Sequence, residues 1–217
     1  AVDRAARFAI GGSQDGLKVY GGWDGDETFN DVSDIESQLE SRDLEANPTV
    51  LSGDIDENDT TTDGVTESAG DIAGANSYRV LHLDGVSNGT ITDATVLDGL
   101  IITGGQANGD KTRGGGAYCD GRGSAGTCNP QMTRLRFAGN TAADNGGALF
   151  NDGSNGGTSS PEITHTTFTD NQAANNGGGL FNDGSDGGAS SSTITHPTFS
   201  GNQADNNGGA LYNNGSN

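Results

Sequence analysis

Gly146-Gly-Ala-Leu-Phe150, Gly177-Gly-Gly-Leu-Phe181 and Gly208-Gly-Ala-Leu-Tyr212 recur every 31 residues, and Phe137-Ala-Gly-Asn140, Phe168-Thr-Asp-Asn171 and Phe199-Ser-Gly-Asn202 interleave with them at the same interval. One period shared by two motifs marks a recurring structural unit. Each unit holds too few apolar residues to build a core of its own, so neighbouring units must cover it. Hairpins cannot place equivalent residues above one another at this spacing, whereas parallel stacking can. The expected fold is all-β, a parallel β-helix (β-solenoid), right-handed by the general chirality of parallel connections. Length and period together predict about six or seven rungs, and a spacing of about 4.8 Å makes the rod roughly 30 Å long.

Stacking gives each repeated position a column. Phe137, Phe168 and Phe199 form one apolar line and Leu149, Leu180 and Leu211 another, both assigned to the interior. Asn140, Asn171 and Asn202 form a polar ladder at a turn, where side-chain amides bond to the copy above. Strict alternation puts Phe150, Phe181 and Tyr212 on the opposite strand face. Three readings stand for that column, an exposed aromatic ladder able to stack on sugars, rings covered by loops, or rings packed inside next to a bend.

Working towards the N-terminus, Met132 to Asn140 lies over Leu97 to Gly105 at an offset of 35, matching Leu97 with Met132, Leu100 with Leu135 and Ile102 with Phe137. Further back the period grows faint. Leu17 to Tyr20, Pro48 to Ser52 and Tyr78 to Leu83 read as strands, with Val50 placed 31 residues after Val19 and Val80–Leu81 about one period later. Between them run two polar excursions. In the first, Ile35, Leu39 and Leu44 space as a brief helix would. The expected organisation is a single β-helix domain over 1–217, irregular with long insertions over 1–113 and regular over 114–217, continuing into further repeats or docking onto another copy because no cap closes the repeat.

Thirty acidic residues against ten basic ones leave a net charge of −20, which argues against nucleic acid as a partner. No apolar run is long enough to cross a membrane as a helix. Cys119 and Cys128 bracket a short Gly-rich loop, a spacing expected to close as a disulfide staple in an oxidising compartment.

Gly-Gly-Ala-Leu followed by Phe-x-x-Asn resembles the repeats of bacterial right-handed parallel β-helix surface proteins, including the chlamydial polymorphic outer-membrane proteins. Val19-Tyr-Gly-Gly-Trp23, Thr49 to Asp56, Val96 to Gly105 and Gly114-Gly-Gly-Ala-Tyr118 look like repeat-bearing extracellular proteins that often carry a cell-surface anchor. The resemblance implies an extracellular or cell-surface location and roles as adhesin, secreted passenger or surface coat. Such proteins commonly place Asn at the corner occupied here by Arg134, His165 and His196.

Chemical sites are sparse. Asp54-Ile-Asp-Glu-Asn-Asp59 offers oxygen donors at alternate positions, as calcium loops do, but Asp59 stands where those loops have Gly. Asp54, Asp56 and Asn58 with Asp63 are the candidate calcium ligands, against a solvated acidic turn. Stacked His165 and His196 read as polar corner residues rather than a metal pair. Enzymes that cleave polysaccharides share this architecture and need clustered carboxylates on one face. His82, Asp84 and Asp98 are the best candidates for that role, and the repeating strands read as free of Asp and Glu beyond Glu162. The resulting expectation is a non-enzymatic structural or adhesive rod without catalytic residues. The alternatives are a polysaccharide-binding or polysaccharide-cleaving module and a subunit of a self-assembling filament. Expected partners are further copies or repeats, surface polysaccharide, or a host or neighbouring cell surface.

Overall fold

The structure, a computed structural model, describes residues 3–29 and 31–215. Its strands are short, and all four sheets are parallel throughout. The first sheet stacks Phe8–Gly11, Leu81–Asp84, Ala117–Asp120, Leu149–Asp152, Leu180–Asp183 and Leu211–Asn214. The second stacks Lys18–Tyr20, Val96–Asp98, Gln131–Thr133, Glu162–Thr164 and Thr193–Thr195. Thr49–Ser52, Leu100–Thr103, Arg136–Ala138, Thr167–Thr169 and Thr198–Ser200 make the third, and the two-residue strands from Gln106–Ala107 to Gln203–Ala204 the fourth. One coil of the regular region visits the sheets in that order and returns after 31 residues, pairing Leu149 with Leu180 and Leu180 with Leu211.

Corners are made where the backbone turns left-handed. Arg134, His165 and His196 have φ of 51°, 49° and 51° and follow the second-sheet strands, with Gly99 at 72° in the same place one coil earlier. Asn and Gly suit that conformation best, since other side chains crowd the carbonyl there. A second corner, ahead of the last four first-sheet strands, needs glycine outright. Gly146 has φ 67°, and a Cβ there would sit 2.9 Å from the Cβ of Phe150 and 2.8 Å from the Leu149 carbonyl oxygen. The Gly-Gly pair therefore lets the turn close over the aromatic column beside it.

Two departures from the sequence reading concern the N-terminal half. The molecule has about four full turns rather than six or seven, because only the first sheet reaches six strands while the fourth has four. Residues 21–48 and 53–80 account for the difference, since both lie within the single coil that runs from Phe8 to its register partner Leu81 and lengthen it far beyond the regular period. The helix Val32–Gln38, N-capped by Asp31 on the backbone N–H groups of Ser33 and Asp34, lies in the first of them and passes into a 3-10 turn at Leu39–Ser41, short of Leu44. The spacing of Val19, Val50 and Leu81 is a coincidence of insertion length. Val19 pairs with Leu97 in the second sheet, Val50 with Ile101 in the third, and Leu81 with Phe8 across the first. The offset of 35 does hold, with Leu97 on Met132 and Ile102 on Phe137.

The core is a narrow column running from Ile10 to Leu211. Phe137, Phe168 and Phe199 stack inside it with ring centroids 5.1 and 4.8 Å apart and nearly parallel planes. Leu149 and Leu180 are fully buried, and Leu211 is packed against them.

Candidate functional site

The interior of each coil is completed by polar ladders. Asn140 Nδ2 donates to Asn171 Oδ1 at 3.0 Å, and Asn171 Nδ2 to Asn202 Oδ1 at 2.9 Å. The same amides donate to the carbonyls of Ile102, Phe137 and Phe168, and their oxygens accept backbone N–H groups of Gly105, Asn140 and Asn171. Each amide thus satisfies the bent backbone of the coil before it while bonding to its neighbours in the ladder, so every link matters more than a surface hydrogen bond would.

One inward column changes chemistry along the rod. Leu83, Cys119, Asn151, Asn182 and Asn213 are register partners. Leu83 and Ile91 both belong to the apolar core. Cys119 is bonded to Cys128 with Cα atoms 5.7 Å apart, and Cys128 pairs in parallel with Ile91. Asn151 and Asn182 instead hydrogen-bond to one another at 2.8 Å and to Ser192 at 2.9 and 2.8 Å. The Asn151 ladder was hidden in sequence because Asn-Asp-Gly ordinarily makes a turn, whereas the strand runs through both Asn151 and Asp152.

The next position holds a carboxylate column. Asp84, Asp120, Asp152 and Asp183 follow one another in register and end on Asn214, so the repeating strands do carry aspartates. Asp152 and Asp183 are nearly fully buried. Each of the four accepts a backbone N–H two residues on, from Val86, Arg122, Ser154 and Ser185. These bonds commit them to closing the turn after the strand. Burial raises the pKa of Asp120 despite Arg122 beside it. For Asp84, burial works upwards, but backbone N–H groups of Ser87 and Val86 outweigh it and lower the pKa.

Asp98 has a different commitment. Arg42 reaches its Oδ2 at 2.8 Å, and Arg134 grips both oxygens at 2.9 and 2.6 Å, clamping the helical excursion to the second sheet. Asp84 and Asp98 belong to different sheets and are not brought together. His165 and His196 stack with centroids 4.7 Å apart at the exposed corner.

The outer face of the first sheet carries the aromatic column. Tyr118, Phe150 and Phe181 are buried and Tyr212 packs against them, with stacked centroids 5.0–5.4 Å apart. The rings are covered rather than displayed. Arg79 lies 3.7 Å over Tyr118 and Arg113 5.3 Å over Phe150, a cationic lid on the π face. The Tyr118 hydroxyl donates to Asp152, and burial raises its pKa far beyond the usual range. His82 continues the column with its ring 5.8 Å from Tyr118.

The Asp54 loop is arranged around Asp59. The Asp54 carboxylate accepts the N–H groups of Asn58 and Asp59 at 3.1 Å, while Asp59 takes Ala73 N–H, Thr66 hydroxyl and Asn76 amide at 2.7–2.9 Å. Asp56 accepts Ala75 N–H at 3.2 Å, and Asp63 turns the chain at φ 49° between Thr62 and Val65. Asp54, Asp56 and Asp63 do not fall within one metal-sized group of carboxylates. Among the described residues, Asp24, Asp26 and Glu27 do, on the exposed first excursion.

Fold and columns define the class, a parallel β-solenoid of stacked Gly-Gly-Ala-Leu and Phe-x-x-Asn coils. Residues 134–152, 165–183 and 198–214 match the Chlamydia polymorphic membrane protein repeat. The first two matched segments run from a left-handed corner through the Phe and Asn columns to the first-sheet strand, and the third begins just past that corner at Thr198, so three successive coils of the β-helix are similar to that repeat. No match was found among curated proteins or solved structures. No helix among the described residues is long and apolar enough to cross a membrane.

Proposed function

We propose that the chain is an extracellular, non-enzymatic rod on a cell surface whose role is adhesive or structural. The match of three successive coils to a surface-protein repeat carries this reading. Its mechanism is shape. Stacked rings, amide ladders and a cross-linked coil hold the rod stiff, so that loops and insertions on it are presented at fixed positions. The commitment of Asp84 and Asp98 to turn closure and an arginine clamp supports a role other than polysaccharide cleavage. Beads coated with the purified protein should adhere to cells and release no sugar from polysaccharide. Retention no better than on albumin-coated beads would refute an adhesive role.

End-to-end association is part of the same proposal. Ile194, Phe199 and Leu211 are only partly buried where Ile163, Phe168 and Leu180, one coil earlier, are fully so. A further coil of the same kind, or a second copy, would cover them.

Calcium is a second proposal, with Asp54, Asp56 and Asn58 as ligands and Asp63 as an outer one, the carboxylates that stand apart in the ion-free loop being drawn together on binding. It is favoured by Asp56 Oδ1, which is buried without a hydrogen-bond partner beside Asn58. Removing calcium with a chelator should lower the melting temperature, and an unchanged melt would dismiss the ion.

A further inference from the structure

The ten basic residues are distributed unevenly. Lys18, Arg42, Arg113, Arg122, Arg134 and Arg136 each pair with a carboxylate among the described residues. Arg4, Arg7, Arg79 and Lys111 do not, in a chain with thirty acidic residues to offer. All four line one cleft of about 190 Å³ at the outer face of the first sheet, where the aromatic column ends on His82. Arg122 stands at its edge as a fifth cation, paired with Asp120, and Asp110 is the other carboxylate in the wall.

Neutral groups hold the unpaired guanidiniums in place. Arg4 donates to the carbonyls of Asn76 and Gln106 and to the Gln106 side chain at 2.7–3.2 Å, and lies 4.3 Å over the ring of Tyr78. Arg79 donates to the Arg113 carbonyl at 3.1 Å and lies over Tyr118. Carbonyls and rings fix direction without cancelling charge, so like charges face one cavity in partly desolvated surroundings. The strain is visible in the neighbouring groups. Burial brings Arg79 down to about 10 against the opposing pull of Tyr118 and Asp120, with Arg122 and Arg7 adding to the fall. Burial and the charges of Arg79, Arg7 and Lys111 bring His82 down to about 4, leaving it neutral with Nε2 buried and without a hydrogen-bond partner.

We propose that this cleft binds an acidic sugar unit, its carboxylate or sulfate received by Arg4, Arg79, Lys111 and Arg7. An oxyanion is the group that would relieve four unpaired cations, and planar guanidinium forks suit its geometry. The cavity holds one monosaccharide-sized group. Tyr78 and neutral His82 line the same wall beside the cations, giving it an aromatic side that suits a sugar ring better than a bare anion. The general acidity of the rod screens other anions from its surface and leaves this cleft as the place where one is welcome. The proposal depends on the surface-rod reading only for where such sugars would be met.

The test is titration calorimetry with galacturonate, galactose 6-sulfate, galactose and inorganic sulfate. Binding of one or both acidic sugars, weakening as salt is raised, is the expected result, and which one binds identifies the group. Galactose binding as tightly as the acids, inorganic sulfate binding as tightly as the sugars, or no binding at all would each overturn the proposal. The exposed pair Arg7→Glu and Lys111→Glu should weaken acidic-sugar binding about tenfold or more without altering the melt. Unchanged affinity in that variant would also overturn it. Sugar binding by a protein whose beads fail to adhere would count against the adhesive reading and leave the cleft standing.

Discussion

At the residue scale, the ladder amides are the most consequential polar side chains in the molecule. Asn171 donates to Asn202 and to the Phe137 carbonyl while accepting from both the side chain and the backbone of Asn140. Replacing it with Ala strands groups in two coils that water cannot reach. Asn171→Ala should therefore lose about 2–4 kcal/mol in urea unfolding, and a loss below about 0.5 kcal/mol would mean that the ladder is incidental. His82 makes a second prediction. Its folded pKa of about 4 lies below the ordinary 6.5, so the unfolded chain takes up the proton first. The stabilisation from keeping it neutral is full above 6.5 and is lost as pH falls towards 4. Over that window the melting temperature should fall more for the wild type than for His82→Phe, whose ring suits the aromatic column. Equal slopes would contradict a buried neutral histidine. Neither the ladder at Asn151 nor the aspartates at its side could be read from sequence, because Asn-Asp-Gly is ordinarily a turn and only the stacking of coils extends the strand into it.

Among the elements, legibility followed the regularity of the coil. Where insertions are absent, the period alone places Phe137, Phe168 and Phe199 above one another and the Gly-Gly turns beside their aromatic rings. Where insertions intervene, equal spacing loses its meaning, as Val19, Val50 and Leu81 show by lying in three different sheets. The third and second sheets recover their early members only because Thr49–Ser52 and Lys18–Tyr20 meet strands of the coil at Val96–Thr103. The Arg42 and Arg134 clamp on Asp98 explains how the first excursion can leave the coil and return in register. That contact joins residues 56 and 36 positions apart, which no local pattern reveals. The cationic cleft was illegible for the same reason. Arg4, Arg79 and Lys111 are remote in sequence and share a wall only after the first sheet has formed.

The whole molecule is a short stiff rod with a −20 charge, one cross-linked coil, and a cleft in which its unpaired cations gather. Adhesive function by shape and the placing of a single sugar-sized site on one flank both presuppose that 31 residues make one turn of a parallel coil. Nitroxide labels on Glu162→Cys and Thr193→Cys, with the Cys119–Cys128 bond left oxidised, measure this most directly, since both positions are exposed register partners on adjacent coils. Backbones about 5 Å apart should bring the two spins within roughly 10 Å and broaden the spectrum strongly relative to either single label. Narrow lines, with the spins more than about 20 Å apart, would contradict the stacked coil and the account built upon it.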